Sequence, residues 1–226
     1  MNNSNDFSKF AKSLGIGGDT LDGYNKFVTR NSVISPTVIE ERTMNMVAID
    51  VFSRLAAERI IFLGTEIDED VANIVNAQLL YLNSVDAKSD IKLFINSPGG
   101  SIVDGLSIYN MINFVEPDVA TYCLGMSASM GAVLLSSGTK GKRSSLPDSL
   151  IMIHQSSTAS NYCQNTDFQI KAKLADRLET RVFDILSENT GKDFQQIKTD
   201  CDRDNWMFAK EALEYGLIDE IIKKTK

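Results

Sequence analysis

From about residue 46 onward the chain alternates between short apolar runs and longer amphipathic stretches, and this alternation constrains its fold more than any other feature. "MVAIDVFSRLAAER" reads as a helix and "IIFLG" as a short buried strand. "DEDVANIVNAQLLYLNSV" reads as an amphipathic helix, with apolar residues at 71, 74, 75 and 79 behind an acidic first turn. "DIKLFIN" is a strand that leaves through the turn "SPGG" into the helix "SIVDGLSIYNMINFV". "DVATYCLG" and "SLIMIHQ" are further strands. A long helix over roughly 166–189 closes at Gly191, and two short helices and the strand "LIDEII" finish the chain. Parallel neighbours need a crossover of helix length between them, so strands alternating with helices predict an α/β fold with a mostly parallel sheet. Residues 1–44, polar and broken by "GIGGD" and Pro36, read as a mobile N-terminal leader and arm, with 45–226 as the folded domain.

Charge and cysteine usage exclude several kinds of function. The formal net charge of −7 argues against a nucleic-acid or anionic-membrane surface, which needs clustered Lys and Arg. The one basic cluster, "KGKR" at 140–143, is too short to reverse this and reads as a solvated loop. The three cysteines, Cys123, Cys163 and Cys201, are odd in number and far apart, which disfavours a disulfide framework or a zinc site and suits a reducing cytoplasm. The start, "MNNSNDFSKFAKSLG", lacks the apolar core of a secretory signal, and no apolar run approaches the roughly 20 residues that span a bilayer.

Chemistry concentrates around "GMSASMGAVLL", 125–135, and the single histidine, His154, at the end of the strand "SLIMIHQ". Sites in α/β folds gather at strand ends, and a neutral imidazole is the usual base for activating a serine. Two serines compete to be its partner, and each half-meets the G-x-S-x-G pattern of a nucleophile on a tight strand-to-helix turn. Ser127 has Gly125 behind it but Ser129 ahead; Ser129 has Gly131 ahead but Ser127 behind. The apolar run "GAVLL" favours Ser129, because it puts this serine at the first turn of a buried helix, where free N–H groups favour negative charge. The plainer alternative is that either serine simply caps the helix. In "INSPGGSIVDG", Gly99 and Gly100 leave a strand with no side chain screening their amides, which with the Met130 amide could form an oxyanion hole. The third triad member cannot be chosen by pattern from thirty Asp and Glu residues. "DCDRDNWMFAKE", 200–211, imitates a calcium loop but has Asn205 where that loop requires glycine.

"INSPGGSIVDGLSIYNMI", "SASMGAVLLSSGTKGKR", "LPDSLIMIHQ" and "EALEYGLIDEII", in that order, resemble the ClpP family, the proteolytic subunits of the caseinolytic Clp protease. The resemblance runs from about residue 36 to the C-terminus and takes in "ERIIFLG" and "VANIVNAQLL". It implies an α/β fold of the ClpP/crotonase-like type, a superhelix of strand–strand–helix units with a protruding helical handle at about 156–190. It also implies Ser129 as nucleophile, His154 as base, Asp204 as the orienting acid, and Gly100 and Met130 as oxyanion amides. Family members form two stacked heptameric rings that enclose their active sites and cut unfolded polypeptides. An AAA-plus unfoldase such as ClpX feeds the rings, docking near positions matched here by Phe94 and Phe114. The resemblance therefore implies a cytoplasmic homo-oligomeric serine endopeptidase with no metal and no cofactor of its own. ATP is used by the partner, since "GTKGKR" is not a phosphate-binding loop.

Three departures stand out. After Gln155 the family pattern has proline and a Gly-rich strand, whereas this chain continues "SSTASNYCQNT". Lys92 stands where an aromatic lines the ATPase pocket, and the leader before about residue 33 has no clear counterpart. Two other functions compete: a non-catalytic ring subunit, against which the intact Ser129, His154 and Asp204 argue, and an acyl-CoA enzyme of the related crotonase fold, which leaves those three residues unexplained.

Overall fold

The computed structural model describes residues 37–42, 45–157 and 164–223, with side chains from residue 50 onward. The leader up to residue 36, and most of the departing segment after Gln155 together with Cys163, lie outside the described residues. The chain divides into two compact units, Met1–Arg54 and Leu55–Lys226.

In the first unit, β1 (Thr37–Arg42) and β2 (Asn45–Asp50) form an antiparallel pair in the register Thr37↔Asp50 to Arg42↔Asn45. The pair straddles the boundary expected at residue 44. It also corrects the helix expected from residue 46, because α1 covers only Val51–Ala57. The physical reason is twofold. Backbone groups of 45–50 are engaged by β1, and Asp50 ends the strand by capping the helix, its carboxylate accepting from Ser53 N at 3.0 Å. The alternating β-branched Val47 and Ile49 are consistent with a strand.

The second unit is built on a seven-stranded sheet in the order β3-β4-β5-β6-β9, with β7 on β5 and β8 on β7. Its strands are β3 (Ile60–Leu63), β4 (Ile91–Ser97), β5 (Val119–Ala128), β6 (Arg143–Ser145), β7 (Leu150–Ile153), β8 (Asn205–Phe208) and β9 (Glu220–Ile221). All pairings are parallel except β7 with β8. The mixed α/β sheet agrees with the fold class expected from the alternation; β6 and β8, three and four residues long, were not anticipated. Strands of only three or four residues carry too little periodicity to be seen locally.

Helices fill the crossovers. α2 (Glu69–Val85) starts where Asp68 accepts from Val71 N, and buries Ala72, Val75, Leu79 and Leu82 along one face. α3 (Ile102–Phe114) starts at the cap Ser101, whose hydroxyl accepts from Asp104 N. α4 (Met130–Ser136) is buried on every side, which explains why its sequence is apolar throughout. α5 (Asn165–Thr190) packs into the core only through Val182, Phe183, Ile185 and Leu186 in its C-terminal turns, and ends on Gly191 in the left-handed conformation (φ 76°). The short helices α6 (Phe194–Asp200) and α7 (Ala209–Tyr215) follow.

β5 decides where the site lies. Its first half pairs with β6 and its second half with β7, while β4 runs along its other edge. Ile95 faces Cys123 but Ser97 faces Ser127, so two steps along β4 span four along β5. This bulge carries β5 past the end of β4 and delivers residue 129 beside the end of β7. The Asn96 side chain accepts from Met126 N at 3.0 Å inside it.

Candidate active site

Ser129 sits between the end of β5 and the start of α4 with φ 54° and ψ −122°, a conformation that a residue with a Cβ rarely adopts. Its amide donates to Met152 O at 2.7 Å, which ties the turn to β7. Its side chain makes no capping hydrogen bond. Instead Ser129 Oγ lies 2.8 Å from His154 Nε2, the imidazole standing just beyond the end of β7. Ser127, the competing serine, is fully buried, and its hydroxyl has no hydrogen-bond partner among the described residues.

His154 Nδ1 lies 3.0 Å from Asp204 Oδ1. A carboxylate only accepts, so Nδ1 carries the proton and Nε2 is free to accept from the serine hydroxyl. Asp204 reaches this place because β8 pairs antiparallel with β7: Ile153 faces Asn205, and the next rung sets His154 opposite Asp204. Gln155 braces the loop that carries Asp204, through its amide to Cys201 O at 2.5 Å and its side-chain Nε2 to Asp202 O at 2.6 Å. Only the position of Gln155 beside the single histidine marks this brace in the sequence.

On the other side of Ser129, Gly99 and Gly100 both have positive φ, at 95° and 149°. Ile67 bridges this loop by donating to Gly99 O and accepting from Ser101 N, which leaves the Gly100 N–H outside the bridge. Any side chain at Gly99 would collide with Ser129 Cβ, so the glycine permits the loop to press against the serine turn. Met130 is the first residue of α4, where a helix amide has no intrahelical acceptor. Gly100, Ser129 and His154 together line a cleft of about 320 Å³.

The calcium-like stretch 200–211 does not converge on a point. Asp200 accepts from Tyr215 and Gln196, Asp204 faces His154, and Glu211 caps α7 by accepting from Phe208 N. Phe94 stacks on Tyr122 with ring centroids 4.6 Å apart, and stands in register with Phe62 on β3. Phe114, 71% exposed at the end of α3, lines a separate depression of about 620 Å³ with Val103, Leu106 and Leu178. Phe94 is not among the residues that line this depression.

A hydroxyl held on a strained strand-to-helix turn, bonded to an imidazole that a carboxylate orients, is the arrangement of a serine hydrolase on an α/β scaffold. The chain belongs to the Clp protease family, whose model matches residues 42–225. It is 48% identical over 223 residues to the ATP-dependent Clp protease proteolytic subunit of Porphyromonas gingivalis, which covers 98% of this chain and 99% of that protein. Proteins of the same name from Bacteroides thetaiotaomicron and Bacteroides fragilis are each 48% identical over 220 residues, covering 97% of this chain and 99% of theirs.

Proposed function

We propose that this chain hydrolyses peptide bonds of unfolded polypeptides through an acyl-enzyme on Ser129, inside an assembly fed by a Clp-type ATPase. Membership of the Clp protease family makes the chain a peptidase. The observation that carries the assignment to particular residues is the 2.8 Å contact between Ser129 Oγ and His154 Nε2 on a turn with positive φ. His154 Nε2 takes the hydroxyl proton as Oγ attacks the carbonyl carbon, and Asp204 holds the imidazolium that forms. The Gly100 and Met130 amides would bind the oxyanion, each such donor being worth about 10²–10³ in rate. The intermediate collapses as His154 returns the proton to the leaving amine. Water then repeats the sequence on the ester and frees the acid. Nucleophile, base and electrophilic donors all come from this chain, so the reading needs no metal and no cofactor.

The coupling to ATP follows the name "ATP-dependent" carried by the relatives. A stably folded substrate is open only a small fraction of the time, so unfolding falls to a partner. We take that partner to be a hexameric AAA-plus ATPase such as ClpX, docking by hydrophobic loops around Phe94 and Phe114 on two stacked heptameric rings. The exposure of Phe114 and the aromatic row Phe62–Phe94–Tyr122 support such a docking surface. The buried free thiols of Cys123 and Cys201 suit a reducing cytoplasm, and no helix of the described residues is long and apolar enough to cross a membrane.

A fluorophosphonate probe tests the reading. It should modify one serine, mapped to Ser129 by mass spectrometry, and abolish cleavage of short peptides. A chain that is neither labelled nor able to cut peptides would favour the non-catalytic ring subunit. A tagged, stably folded protein should persist with this chain alone and disappear when the ATPase and ATP are both added.

A further inference from the structure

The two amides assigned to the oxyanion hole stand on different strands. Gly100 lies just past the end of β4, and Met130 just past the end of β5. Each donor must come within about 2.7–3.1 Å of the oxygen it holds, so the hole forms only when the two strand ends stand in one particular register. Regular pairing does not produce that register. Continued from Ile95↔Cys123, it would set Gly99 opposite Ser127. The rung Ser97↔Ser127 shows instead that β5 has taken up two extra residues, which brings Gly99 against the nucleophile. The fit there has no slack: a Cβ on Gly99 would lie 2.7 Å from Ser129 Cβ and 3.0 Å from Met130 N.

One side chain enters the bulge. Asn96 Oδ1 accepts from Met126 N at 3.0 Å, so a side-chain oxygen serves this amide where the ladder is interrupted. Gly125 makes room for it, since a Cβ at that position would lie 2.9 Å from Asn96 Oδ1. The hydrogen bond ties a residue three before Gly99 to a residue three before Ser129. Asn96 is exposed and makes this one hydrogen bond among the described residues, so it adds little to global stability. We propose that Asn96 is a positioning residue for the hydrolysis. By pinning the bulge it fixes the Gly100 amide against Ser129 and the Met130 amide, and it acts on the transition state through them. This rests on the serine-peptidase reading above.

The test uses the full-length assembled protein, with rates expressed per fluorophosphonate-titratable site so that incompletely folded material does not count. Asn96→Ala removes the acceptor, and Gly125→Ala keeps every polar group but drives a Cβ against Asn96 Oδ1. A misplacement of about 1 Å can cost about 10²-fold in rate. Each variant should therefore lower kcat for a short peptide by about tenfold or more and leave KM within about twofold of wild type. Affinity for a peptide boronate, whose tetrahedral adduct fills the oxyanion hole, should fall in step with kcat. Affinity for a reduced-amide peptide of the same sequence, which has no carbonyl oxygen, should stay within about twofold. Asn96→Asp keeps an oxygen in the same place and should recover most of the lost kcat. The melting temperature of Asn96→Ala, at one fixed protein concentration, should change little. Unchanged kcat and boronate affinity in both alanine variants, a loss confined to KM, or Asn96→Asp as slow as Asn96→Ala would overturn the proposal while the serine-peptidase reading stands. A wild-type protein that is neither labelled nor able to cut peptides would overturn that reading, and the proposal with it.

Discussion

Asp219→Ala removes the carboxylate that satisfies the most deeply buried charge in the described chain. Arg143 opens β6 and its side chain is 1% exposed. Its Nε donates to Asp219 Oδ2 at 2.8 Å and Nη2 to Oδ1 at 2.5 Å, a bidentate pair. Nη1 donates to the carbonyls of Asn189, at the end of α5, and Ser136, at the end of α4. Asp219 also accepts from the amides of Gly141 and Arg143, at 2.7 and 3.2 Å. Without the carboxylate, the guanidinium keeps two carbonyls but loses its counter-charge, and two amides lose their acceptor. Breaking a buried pair by removing one partner costs about 3–5 kcal/mol, and the surviving carbonyl contacts put this case near 3 kcal/mol. At about 2–4 °C per kcal/mol for a chain of this size, the melting temperature should fall by roughly 6–12 °C. Thermal and urea unfolding at one fixed protein concentration read this out, because assembly couples stability to concentration. Arg143→Met with Asp219→Ala removes the stranded charge and should cost less than the sum of the two single changes. A single variant within about 1 kcal/mol of wild type, or strictly additive variants, would refute the reasoning. The same pair sets an acid limit. Burial by itself pushes the Asp219 carboxyl up, but the Arg143 guanidinium and the Gly141 and Arg143 amides outweigh it and hold the pKa at about 2, below its ordinary 3.8. A depressed carboxyl contributes stability above its unfolded value and loses it as pH falls through the folded one. Asp219 should therefore stabilise fully above about pH 4 and progressively less down to about pH 2, a dependence that Asp219→Ala should lack.

Ser129→Ala should abolish peptide cleavage with the fold intact by circular dichroism, whereas Ser127→Ala, which removes a hydroxyl that bonds to nothing described, should keep most activity and lose little stability. Equal loss in the two variants would defeat the choice between the serines. Gly100→Ala would place its Cβ 2.2 Å from Ile67 O at φ 149°, so the loop must shift and carry the Gly100 amide with it. The expected result is a fall of about 10²-fold in kcat with little change in KM, and an unchanged kcat would remove that amide from the oxyanion hole.

The alternation of strands and amphipathic helices was legible because it depends on residues a few positions apart. α2, α3, β4 and the C-terminal stop of α5 at Gly191 lie where the periodicity and caps put them. Ser129 and His154 stood out locally as well, one opening an apolar helix and the other being the sole imidazole. β2 misled, because "MVAID" suits either structure until a partner strand takes its backbone groups.

Other features required the chain to be folded. Asp204 was one of thirty acids, and pattern alone could not select it. The antiparallel register of β8 on β7, strands far apart in sequence, sets it opposite His154. The bulge of β5 over β4, the positive φ of Ser129 and the meeting of Glu179 with Ser156 have the same origin. Local sequence specifies which backbone conformations and apolar faces are favourable. Which side chains then meet is decided by register and packing between distant segments, because hydrogen bonds act over about 3 Å and carry no record of separation along the chain.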